Sequence, residues 1–360
     1  MAASRWSVEK AQQWYAAQPW LVGCNFIPST AINQLEMWQA DSFDLETIER
    51  ELGWAQNLGF NSVRVFLHDL LWLQDRQGFC DRIRRYLDIA GQHQISTLFV
   101  LFDDCWNDHP QLGRQPDPAP GVHNSGWVRS PGLKAIRDEQ NWGRLEEYVT
   151  GVVSAFGQDE RVLLWDLYNE PGNGFLVSPK LPRLVQIATL ISLRTRYLVM
   201  PVPATKLLQK AFTWARQAAP RQPLTTATWY LTSRLESRLN RVAVELSDVI
   251  TFHSYSNLEM TRNILAKLQT TGRPVICTEY LARGGDSNFQ SHLPFFKEHK
   301  IGAYNWGLVA GKTQTYYSWQ DYYPAGEEPP LWHHDILRRD GLPYRQEEVE
   351  LIQQITQRNG

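Results

Sequence analysis

Eight short apolar runs, set at intervals that leave room for a helix between most of them, constrain this chain more than any other feature. They span residues 21–26, 61–67, 95–102, 162–168, 224–229, 249–253, 274–278 and 301–306. The third, Ile95 to Phe102, is apolar nearly throughout, as a parallel strand buried on both faces should be. Between the runs the period changes. Leu45, Ile48, Leu52 and Ala55 recur at helical spacing behind Asp44, a side chain suited to an N-cap, and Gly59 ends the segment. Further helices are expected at 79–92, 143–156, 206–218, 257–268, 292–299 and 346–357. No linker or shift of composition divides the chain. The expectation is a single (β/α)8 barrel over residues 1–360, with long loops after strands 1, 3, 4 and 8. The third loop, Asp103 to Asn141, holds Trp106 and Trp127 and reads as ordered and functional, whereas 172–205 has no legible pattern.

Composition removes several classes of function. With 36 basic and 38 acidic residues, a net charge of −2 and no long run of either sign, neither nucleic acid nor a membrane surface is expected as partner. Cys24, Cys80, Cys105 and Cys277 show no CxxC spacing and read as reduced, partly buried thiols. The N-terminus lacks the apolar core of a signal peptide, and Arg194, Arg196 and Pro201 interrupt the apolar stretch 184–202, so a soluble cytoplasmic protein is expected. No phosphate loop, dinucleotide fingerprint or GxSxG elbow occurs, and His333-His334-Asp335 has no companion ligand spacing. No metal or cofactor is therefore expected. The 15 Trp, 14 Tyr and 14 Phe exceed what a core needs and suggest a ligand that stacks on rings.

A barrel of this kind places its functional residues at the C-terminal ends of the strands. Those ends are polar here: Asn25, Arg64 and His68, Asp103 and Asp104, Asn169 and Glu170, Trp229, His253 and Tyr255, Glu279 and Tyr280, Asn305 and Trp306. A strand-end Arg or His is more often a structural partner than a catalyst. Glu170 and Glu279 are different, since both follow apolar strands three βα units apart and a closed barrel sets them face to face. Burial at such a rim raises a carboxyl pKa and suits it to acid work. Two facing carboxylates are the minimal machinery of glycoside hydrolysis, and Arg64 on the second strand is the natural cation to keep one of them ionised. The first loop adds Asn33, Gln34, Glu36 and Trp38, which read either as contacts for a terminal sugar or as a polar loop packed over Trp38. Trp106, His123 and Trp127 from the third loop, with Lys312, Gln314, Trp319 and Tyr322 from the last, could wall the cleft into a pocket.

The ordered set Asn169-Glu170-Pro171, His253-Ser254-Tyr255, Thr278-Glu279-Tyr280 and Asn305-Trp306-Gly307, with Arg64 upstream, resembles the clan A glycoside hydrolases. It is most similar to family 5, the cellulase-like barrels, and to the catalytic barrels of family 2, from about Leu21 to the last helix. The resemblance implies a retaining β-glycosidase without cofactor, acting on a glycoside or oligosaccharide. Glu170 would be the acid/base and Glu279 the nucleophile. Asn169 would bind the 2-hydroxyl, Arg64 and Tyr255 would orient Glu279, His253 would position Glu170, and Trp306 would lie under the sugar. Family 5 enzymes usually carry His at the end of the third strand, where this chain has Asp103-Asp104; a carboxylate there could grip a hydroxyl pair. A pocket would favour exo attack or short oligosaccharides. A transglycosylase, or a binding barrel whose catalysis has lapsed, would share these residues.

Overall fold

The computed structural model describes residues 4–173, 203–229, 238–319, 321, 323–324 and 326–356. Nine strand segments among them form one parallel sheet: β1 Val22–Asn25, β2 Ser62–Phe66, β3 Ser96–Asp103, β4 Val162–Asn169, β5 Leu224–Thr225, β6 Ala227–Thr228, β7 Ile250–His253, β8 Val275–Tyr280 and β9 Gly302–Trp306. Their order is β5-β4-β3-β2-β1-β9-β8-β7-β6. Segments β5 and β6 are two halves of one strand broken at Thr226; the first pairs with β4 and the second with β7. The expected fifth strand is thus the seam at which the eight-stranded barrel closes. Its break is tied to the neighbour, because the Thr226 hydroxyl donates to the Tyr168 carbonyl at 2.5 Å.

Period-two alternation decides what faces the barrel axis. On β2, Val63 and Val65 pack outward with Phe99, Leu101, Trp165 and Leu167 beneath the helices. Arg64, between them, therefore points inward. Leu98, Val100, Leu164, Ile276 and Tyr304 form a separate apolar cluster with Phe66. Close strand approach needs Gly23, where a Cβ would stand 1.6 Å from the Ser62 carbonyl oxygen.

Helix Leu45–Asn57 follows its expected N-cap, Asp44, whose side chain accepts from Thr47 N. Three helices start earlier than expected: Pro203–Gln217, and two with N-caps that the apolar repeat does not mark. Asp75 caps Arg76–Gln92 by accepting from Gly78 N, and Asn288 caps Phe289–Glu298 by accepting from Ser291 N, with Pro294 inside. The caps, rather than the apolar repeat, set these two starts. Segments Val8–Ala16, Gln34–Trp38, Asp69–Gln74, Leu133–Arg137 and Arg238–Leu246, not expected as helices, are helical. Val8–Ala16 closes the end of the barrel opposite the strand C-termini: Gln12 Nε2 donates to Gly272 O at 2.7 Å and Tyr15 OH to Lys300 O at 2.8 Å. Most of the long loop after β4 lies outside the described residues. The loops after β3 and β9 fold onto each other over the mouth, joined by Asn124 N to Thr313 O at 2.8 Å. Among the described residues no helix is long and apolar enough to cross a membrane.

Candidate active site

Strand β4 ends at Asn169, and the next residue, Glu170, has φ +41°, in the left-handed region. A non-glycine residue stays there only where its surroundings over-determine it. Asp104 supplies part of that, its Oδ2 accepting from Gly172 N at 2.5 Å, while Asn173 N donates back to Glu170 O at 2.9 Å. The turn aims the Glu170 carboxyl across the mouth towards Glu279 on β8. His253, ending β7, stands between them, with Nδ1 2.7 Å from Glu170 Oε1 and 3.4 Å from Glu279 Oε2. Ligand atoms of the three side chains all lie within 4.8 Å of one another.

The two carboxylates have different neighbours. Glu279 Oε1 accepts from Arg64 Nη1 at 2.6 Å, and its Oε2 accepts from the Tyr255 hydroxyl at 2.7 Å. Among the described residues no Lys or Arg contacts Glu170; beyond His253 it meets Asn173 Nδ2 and, at 3.5 Å, Cys105 Sγ. Burial pushes both carboxyls above the ordinary glutamate range; His253 and Arg64 oppose this at Glu279, and the Cys105 and Asn173 hydrogen bonds oppose it at Glu170. Burial also holds the His253 imidazole neutral, lowering its pKa to about 4. Its short contact with Glu170 is a hydrogen bond. Two ligands of one tetrahedral zinc would sit roughly 3.3 Å apart or more, given metal distances of about 2.0–2.2 Å.

Arg64 is completely buried and its fork is full. Nη1 also donates to Asn25 Oδ1 at 2.8 Å, Nη2 to Asp166 Oδ2 at 2.7 Å and to Asn169 Oδ1 at 2.6 Å, and Nε to Asp166 at 3.1 Å. Asp166 was not singled out from sequence. An acid inside an apolar run, two residues from the inward-facing Leu164, was the signal. Asn169 turns its Nδ2 to Asp103 Oδ1 at 2.9 Å and to Cys105 Sγ at 3.5 Å. Cys105 and Asn173 were missed too, and nothing in their sequence context marks them.

Several expected sugar contacts are structural instead. Asp103 is 1 % exposed, and its carboxylate is occupied by Asn169, by Trp127 Nε1 at 2.6 Å and by Gln34 Nε2 at 3.3 Å; burial lifts its pKa to about 6. Asp104, equally buried, is ion-paired with Arg129 and holds the Glu170 turn. Neither is free to grip a hydroxyl pair. Trp38 is wholly buried, stacked on Phe43 at 5.8 Å, with Nε1 donating to Phe66 O at 2.9 Å, so the packed-loop alternative is the right one for it. Trp127, 2 % exposed, backs Trp306 edge-on at 5.8 Å rather than facing the cleft. Glu36 is partly exposed and ion-paired with Lys312 at 2.6 Å, which clamps the first loop to the last. Trp306, Tyr255, Trp319, Trp106 and Trp229 are half-buried at the mouth. Trp319 packs on Tyr255 at 5.0 Å and on the buried His123 at 5.9 Å. Tyr322 lies outside the described residues.

No protein-family model and no curated protein matches the chain. Solved structures do. A GH5_18 variant from Streptomyces cattleya, in complex with Manb1-4GlcNAc, superposes with TM-score 0.59 at 14% identity over 93% of this chain and 80% of that one. The exo-beta-1,4-mannosidase of Opitutaceae bacterium strain TAV5 gives TM-score 0.55 at 18% identity, over 93% of this chain and 59% of its own. The beta-mannanase of the blue mussel Mytilus edulis gives 0.53 at 14% identity, over 94% and 92%. With eight parallel strands closed at Thr226 and helices outside them, the chain has the (β/α)8 barrel fold of these glycoside hydrolases, the fold expected from its eight alternating strand and helix segments.

Proposed function

We propose that the chain is a retaining glycoside hydrolase acting on β-linked glycosides by double displacement, with Glu279 as nucleophile and Glu170 as acid/base. The observation that carries this reading is the carboxylate pair, whose facing oxygens lie within 4.8 Å. Retaining enzymes hold the two groups about 5–5.5 Å apart, whereas inverting ones need about 6.5–9.5 Å to admit a water. The unequal neighbours support this division of roles. Arg64 and Tyr255 both donate to Glu279 and favour its anion; Glu170, buried and touched by no Lys or Arg among the described residues, favours its acid.

In the first step Glu279 attacks the anomeric carbon while Glu170 protonates the departing glycosidic oxygen, leaving a glycosyl ester on Glu279. In the second, Glu170 takes a proton from water, the water oxygen bonds to the anomeric carbon, and Glu279 leaves as carboxylate. Arg64 keeps its bonds to Asp166 throughout, so the nucleophile changes charge without its partner moving. Asn169, whose Nδ2 donates to Asp103 and Cys105 and whose Oδ1 accepts from Arg64, would meet the 2-hydroxyl through the second lone pair of Oδ1, and Trp306 would offer its face to the ring. Neutral His253 fixes the Glu170 carboxyl through Nδ1.

The structural neighbours name β-mannosides, and the loops after β3 and β9 wall this mouth with aromatic rings. We therefore infer a β-mannoside or short mannose-containing oligosaccharide, cut from a chain end. Four free, buried cysteines fit work in a reducing compartment such as the cytoplasm. The test is a panel of 4-nitrophenyl β-glycosides with wild type and Glu279→Ala. The variant should lose turnover by at least about 10⁴-fold and regain it with azide, giving the α-glycosyl azide. Full activity in Glu279→Ala would sink the assignment.

A further inference from the structure

We propose that the Cys105 thiol is a positioning residue of the acid/base, holding Glu170 in its proton-donating place; this rests on the function proposed above. The thiol lies where the loop leaves β3, 8 % exposed, with its backbone N–H donating to Asp103 Oδ1 at 3.1 Å. It is a junction. Asn169 Nδ2 donates to Sγ at 3.5 Å and Asn173 Nδ2 at 3.4 Å, while the S–H is directed to Glu170 Oε2 at 3.5 Å. One sulfur thus connects the residue before Glu170, the residue three after it, and the carboxyl itself. His253 fixes the other carboxyl oxygen from the opposite side.

The chemistry of sulfur explains why such a group suits a proton donor. During one catalytic cycle the Glu170 carboxyl must be neutral, then charged, then neutral. Oε2 already accepts from the Asn173 amide; a second strong donor there would favour the anion further and weaken the acid, whereas a bare apolar contact would leave the anion less solvated. A thiol is a weak donor and a weak acceptor, large enough to fill the space. It stays uncharged itself, because burial, with Asp103, Glu170 and Glu279 nearby, pushes its pKa far above the ordinary thiol range. The other groups facing Glu170 include the Asn173 amide, which shares Oε2 with the thiol and is left in place in both variants tested below. His253 comes from β7, Glu279 from β8 and Arg64 from β2; Asp104 reaches the turn through Gly172 N, and Tyr255 is held on Glu279.

The proposal is tested with Cys105→Ser and Cys105→Ala in the full chain. Serine, a stronger donor, should move the alkaline limb of kcat/KM to lower pH; alanine, which removes the donor, should move it to higher pH. Each shift should be about half a pH unit or more. The loss in kcat should be about tenfold or larger for alkyl β-glycosides, whose leaving group needs the proton, and smaller for 4-nitrophenyl glycosides. Glu170 is titrated in parallel by 13C NMR of carboxyl-labelled glutamate, assigned with Glu170→Gln. That readout needs no turnover, so it still decides the thiol's role if the wild type cleaves no glycoside and the functional reading fails. Opposite displacements of the Glu170 titration in the two variants support the proposal. Titrations that coincide with wild type overturn it, and if only one variant folds, its titration alone decides in the same way.

Discussion

Arg64 shows how much a single residue can specify. Buried without access to water, it makes five hydrogen bonds to four acceptors, one of them the proposed nucleophile. Asp166 compensates its charge from within the barrel, its Oδ1 meeting no hydrogen-bond donor among the described residues. The planar fork is what permits this. Lysine has one nitrogen and three donors, and cannot span Asp166, Asn169 and Glu279 together. Arg64→Lys should therefore lower kcat/KM by about 10²–10³-fold and move the acidic limb of the pH profile upward, since Glu279 would lose the cation that favours its anion. Steady-state kinetics from pH 4 to 9 read both effects. An unchanged acidic limb would show that Arg64 does not govern Glu279.

At the scale of elements, the strands were legible and their ends only partly so. Apolar runs mark β1–β4 and β7–β9 because burial on both faces leaves few alternatives. Glu170, Glu279 and Arg64 could be found from them, since a polar group at the end of such a run faces the mouth or pays to be buried. Which way the next residue turns is set by loop geometry that no periodicity records. Asp103, Asp104 and Trp127 were read as lining the sugar site for that reason, and Trp38 as either a sugar contact or a packed residue; all four prove to be the loops' own fastenings. The short helices were missed because each spans only one to three turns and owes its place to tertiary packing. The broken fifth strand was hidden in a run that reads as continuous. Its seam gives a prediction: Thr226→Val keeps the volume but removes the hydroxyl bonded to Tyr168 O, and should cost about 1–2 kcal/mol of stability. Urea unfolding checks this, and a midpoint equal to wild type would show that the seam needs no side-chain tie.

Across the whole molecule, buried acids without a close cation partner couple stability to pH. Glu51 is fully buried in helix Leu45–Asn57; its carboxylate accepts from Ser29 N at 3.0 Å and meets the Ser29 hydroxyl, with Arg50 no nearer than 4.0 Å. Burial raises its pKa to about 7, and the same cause raises Asp335 to about 7. The sign follows from proton binding. Between the ordinary glutamate value and about 7 the folded chain holds protons that the unfolded chain has released, so stability falls as pH rises through this window and levels off above it. For Glu51 alone the change is on the order of 2–3 kcal/mol. Glu51→Gln removes the titration while keeping an acceptor for Ser29 N and a donor for its hydroxyl. Calorimetry should show the wild-type Tm falling between pH 5 and pH 8, with a shallower fall in the variant, which becomes the more stable of the two at pH 8. Parallel Tm curves would mean that Glu51 carries its charge in the folded barrel at little cost, with Ser29 and the helix sufficient to hold it.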